Sequence, residues 1–69
     1  MSAQSDVAEL SSLRAQIEEV TRRVVQIADS YRDTDDSAVT GELDQAERSL
    51  TNARRALEHA STRLADLIL

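Results

Sequence analysis

Seven residues, Leu10, Leu13, Ile17, Val20, Val24, Ile27 and Tyr31, follow one another at alternating steps of three and four. Such steps average 3.5 residues, the period at which an α-helix returns side chains to one stripe, whereas a half-buried strand alternates every second residue. Leu43, Ala46, Leu50, Ala53, Leu57, Ala60, Leu64 and Leu67 repeat the pattern further along the chain. The spacing therefore predicts two helices, over about 6–31 and about 37–68, joined by an acidic turn at about 32–37.

Composition supports helices throughout. The chain has 69 residues, no Pro, Trp or Phe, and a single Gly at position 41. Ala, Leu, Glu, Gln and Arg, all strong helix formers, supply much of the rest. With no Cys there is neither a disulfide nor a Cys-based zinc site. A chain of this length is one domain, 1–69, near the size at which a single core becomes marginal without self-association.

The two stripes differ in bulk. In the first, Leu10, Ile17, Val24 and Tyr31 hold one seam position and Leu13, Val20 and Ile27 the other. In the second, Leu43, Leu50, Leu57 and Leu64 alternate with Ala46, Ala53 and Ala60. An alanine line lets a neighbouring backbone approach closely, while the leucine line interdigitates beside it. A short connection makes the helices antiparallel neighbours. The expected fold is all-α, an antiparallel helical hairpin completed by homodimerisation into a four-helix bundle. Its expected interface is Leu10, Leu13, Ile17, Val20, Val24, Ile27 and Tyr31 with Leu50, Ala53, Leu57, Ala60 and Leu64.

Val7 and Val25 lie outside the stripe and widen the apolar face. Asp6 with Glu9 three residues later forms a candidate capping box, and Ser5 competes with it. Glu18 with Arg22, Glu19 with Arg23, and Asp44 with Arg48 have the four-residue spacing of helix-surface ion pairs.

The turn, YRDTDDSAVTG at 31–41, is the densest cluster of polar side chains. Placing Asp33 at the first position of a twelve-residue calcium loop puts Asp35 third, Ser37 fifth and Asp44 last. Ala38 then occupies the sixth position, where the loop needs Gly, and Asp44 stands where a bidentate Glu closes the site. A turn with helix-capping Asp, Ser and Thr side chains fits the same residues better.

Catalytic chemistry has no visible foundation in the sequence. His59 stands alone, and neighbouring Glu58 and Ser61 do not share a helix face with it. There is no phosphate-binding glycine loop, zinc-binding run or nucleophile elbow, so neither a cofactor nor a small-molecule substrate is expected. The net charge of −5 comes from 13 acids against 8 arginines, with no lysine, and makes the chain a poor polyanion binder. No apolar run reaches membrane-spanning length and the N-terminus lacks a signal-like core, so a cytoplasmic location is expected.

These features describe a non-catalytic protein–protein interaction or assembly module. Its expected partner is itself or another helical protein. A second reading is a dimeric helical nucleic-acid-binding regulator using Arg14, Arg22 and Arg23, although Glu18 and Glu19 interrupt that patch and no aromatic platform accompanies it. A third is a subunit or activator of a larger enzyme complex.

Overall fold

The computed structural model describes residues 2–68 and is all-helical across them. Helix α1 spans Ala3–Tyr31, helix α2 spans Ala38–Leu67, and the two pack side by side as an antiparallel hairpin. The hairpin is a rod of 54 × 14 × 14 Å.

Helix α1 begins at Ala3, earlier than the Asp6 and Ser5 caps favoured by the sequence. Ser2 is extended, at φ −119° and ψ 160°, and its hydroxyl accepts a hydrogen bond from the Ser5 amide at 3.2 Å. That bond satisfies one of the amides a helix start leaves open. Asp6 then lies inside the first turn, where its charge complements the positive end of the helix dipole.

The turn closes without glycine. After Tyr31 the chain leaves helical geometry at Arg32, with ψ 140°, and Asp33 takes φ 63°. This left-handed conformation disfavours most side chains, but Asp and Asn adopt it more readily than bulkier residues. Thr34 fastens the corner. Its hydroxyl donates to the Tyr31 carbonyl at 2.6 Å and accepts from the Asp36 amide at 3.2 Å. Ser37 enters α2 with backbone already near helical and without a side-chain cap, so the side-chain bonding of Thr34 serves the turn that precedes the helix.

Gly41 is an ordinary helical position in the first turns of α2. It has no positive φ, and an added Cβ would meet nothing within 4 Å.

Arg32 braces the hairpin where the helices diverge into the turn. Its guanidinium donates to Asp29 at 2.9 Å and makes two bonds to Asp44 on α2, at 3.2 and 2.8 Å. Asp44 therefore pairs across the hairpin instead of with Arg48, which bonds Gln45. Glu19 pairs with Arg22, three residues on, instead of Arg23.

The surface between the helices is thin. Ala28 is the one buried apolar residue among those described, at 1% exposure, and Ser61 on α2 is buried at 8%. Around them Val7, Leu10, Arg14, Ile17, Thr21, Val24 and Val25 of α1 are half-buried. Leu43, Glu47, Leu50, Arg54, Leu57 and Leu64 of α2 are half-buried as well.

Candidate interaction face

The burial pattern separates the heptad lines. On α1 the line shared by both seams is Leu10, Ile17 and Val24, and it is half-buried. The residues completing the inner seam are Val7, Arg14, Thr21 and Ala28, one position beyond Leu13, Val20 and Ile27. Helix α2 behaves alike. Its half-buried leucine line is flanked inward by Thr40, Glu47, Arg54 and Ser61, one position beyond the alanine line.

Helix geometry places the two remaining lines together. Going from Leu10 to Leu13, or from Leu43 to Ala46, turns about 50° around each helix axis in the same sense at a 3.5-residue period. Because the helices run in opposite directions, the two turns carry Leu13, Val20 and Ile27 and Ala46, Ala53 and Ala60 to the same side of the hairpin. The leucine, isoleucine and valine lines form the floor between them.

One broad side of the rod is consequently apolar from Leu10 to Tyr31 on α1 and from Val39 to Leu67 on α2. Along it Val20 is 45% exposed, Ile27 51%, Tyr31 40% and Leu67 76%. Ala53 is exposed, while Leu13, Ala46 and Ala60 are half-buried. The twelve residues singled out by periodicity share this side, and the same heptad adds Val39, Leu43, Ala46 and Leu67. The surface carries a ridge of branched side chains along α1 and a trough of alanines along α2.

The opposite side is polar. A shallow groove between the helices is lined by Ser11, Arg14, Ala15, Glu18, Arg54 and Glu58. Its two arginines and two glutamates balance, and Arg54 lies 3.5 Å from Glu58. Arg14 Nε and Ser61 Oγ are buried without a hydrogen-bond partner among the described residues. Periodicity had no means of placing these polar groups inside the seam, because hydropathy counts them as surface.

The charges also separate by position. Residues 29–44 hold six acids, Asp29, Asp33, Asp35, Asp36, Glu42 and Asp44, against Arg32 alone. That balance of −5 equals the net charge of the whole chain, since the other seven acids and seven arginines cancel. The hydrogen bond from Arg32 holds the Asp44 carboxyl below its ordinary value of 3.8 and raises the guanidinium in turn. Among the described residues no group of three or more His, Cys, Asp or Glu side chains is arranged to hold a metal ion. Among the described residues no helix is long and apolar enough to cross a membrane.

Comparison with protein-family models, curated proteins and solved structures found no match to this chain.

Proposed function

We propose that this chain is a non-catalytic assembly module whose apolar side docks a second helical layer, with a second copy completing a four-helix bundle. The observation that carries the reading is the long apolar side, with Val20 and Ile27 about half exposed while the inner seam holds Thr21, Ser61 and arginine stems. Isolated apolar side chains are common on protein surfaces, but a contiguous strip along two helices marks an interaction site.

Area supports the same reading. The hairpin exposes 5120 Å². A folded monomer of this mass is expected to expose about 4300 Å². The excess of about 800 Å² is close to what one partner contributes to a standard-size protein interface. The arginines point the same way: Arg22, Arg32 and Arg54 are occupied by carboxylates of this chain, which favours a protein partner over nucleic acid.

Thermal unfolding followed by helical circular dichroism tests the proposal. A dimer melts at a temperature that rises with chain concentration, since association stabilises only the folded form. The expected result is such a rise in the natural chain and its loss in Val20→Asp. A melting temperature independent of concentration in the natural chain would contradict the proposal.

A further inference from the structure

We infer that the second copy docks with its acidic turn at the opposite end of the bundle, so that α1 packs on α1 and α2 on α2 about a twofold axis perpendicular to the rod. This inference rests on the self-association proposed above and adds its orientation. Two arrangements bring apolar sides together by a twofold. One keeps both turns at the same end and places α1 over α2 of the partner. The other sends the turns to opposite ends.

Three observations favour opposite ends. The first is charge. Each turn region carries −5 while the remainder of the chain is neutral. Turns at the same end would crowd two such clusters together, whereas opposite ends separate them by nearly the 54 Å length of the rod. The second is register. Leu13 and Ile27 lie seven residues either side of Val20, and Ala46 and Ala60 lie seven either side of Ala53. The bounds of the antiparallel helices set Val20 and Ala53 within about one helical turn of each other along the rod, so a single perpendicular axis passes close to both centres.

The third observation concerns the rim. Glu42 and Arg63 fall on one heptad line at the outer edge of the apolar side of α2, and both are exposed. Glu42 lies eleven residues before Ala53 and Arg63 ten after it. With α2 antiparallel to α2 about Ala53, Glu42 of each copy comes level with the partner's Arg63. The dimer gains two opposite-charge rim pairs, which set orientation more than affinity. The alanine trough brings the α2 pair near 8 Å, and the branched ridge holds the α1 pair near 10 Å, the two ends of the usual range, approximately.

A single cysteine introduced by Asp35→Cys, in a chain that otherwise has none, accepts a spin label at the turn. Dipolar distance measurement on the labelled dimer should give about 45 Å or more between turns, from the length of helices at 1.5 Å per residue. A distance of about 25 Å or less would overturn the orientation and leave self-association standing. Absence of any dimer in the same sample, judged by its mass, would overturn both. Charge exchange gives a second readout. Glu42→Arg or Arg63→Glu alone should weaken the dimer about three- to tenfold, and the double exchange should restore it. Additive losses in the double variant would contradict the rim pairing.

Discussion

The two long sides of this hairpin are built by the same helices yet solve opposite problems. The inner seam closes on small and polar residues, with Ala28 and Ser61 buried and Thr21 and Arg14 alongside. The outer side carries the branched chains Val20 and Ile27 and leaves them about half exposed. Small residues let two helices of one chain approach closely at little volume, while bulky ones need a further layer to cover them. Apolar character is therefore highest where the single chain has no partner for it. That difference is the ground for proposing the outer side as the interaction surface.

The largest effect expected is on the outer side. Val20→Asp places a carboxylate at the centre of the proposed interface and should weaken association by about a hundredfold or more, since an unpaired charge is costly to bury. Sedimentation velocity at matched concentrations measures the loss. The same substitution at Gln26, an exposed position away from the apolar side, should leave association unchanged.

Overpacking then separates the two sides by mechanism. Ala28→Leu forces side-chain volume into a fully closed apolar position and should cost about 1–3 kcal/mol. Ala53→Leu should cost a similar amount, again about 1–3 kcal/mol, but through the partner. Denaturant titration over a range of chain concentrations distinguishes them. The Ala28 penalty should appear in the folding of the hairpin itself, the Ala53 penalty in its association. Equal and concentration-independent losses would erase the distinction between the sides.

Ser61→Ala probes the inner seam in the favourable direction. The hydroxyl is buried with no partner among the described residues, so its removal should stabilise the chain by about 1 kcal/mol. A loss of stability in chemical denaturation would mean that the hydroxyl is satisfied in solution.

The smallest effect belongs to the Arg32 brace. Because Arg32 holds the Asp44 carboxyl below 3.8, the ion pair contributes stability above that pH and loses it as pH falls through the depressed value. Asp44→Asn should remove part of the acid dependence below about pH 4 and leave the rest of the profile in place. Acid titrations of the two chains, followed by circular dichroism, compare them directly.

Much of the fold is legible in the sequence because steps of three and four admit little besides helices, and the cluster at Asp33 to Ser37 breaks them once. The side on which the hairpin closes is less legible. A heptad stripe has two flanks, and hydropathy favours the one with Val20 and Ile27 over the one with Thr21 and Ala28. The structure closes on the latter, since the intrachain contact needs closeness more than bulk. The turn carries a similar inversion: the sole glycine, Gly41, occupies a helical position with free space, while the left-handed corner belongs to Asp33. Local bonding by Thr34 makes that corner, and composition does not reveal it. Asp44 was equally ambiguous, because an arginine four residues away in sequence competed with Arg32, which only the folded hairpin brings near.

Sedimentation equilibrium over a wide concentration range measures the central claim most directly, because it weighs the assembly without reference to its shape. The expected result is a mass of twice the single chain, with helical content retained, and a return toward the single-chain mass in Val20→Asp. A fully helical natural chain that keeps its single-chain mass at every concentration would contradict it.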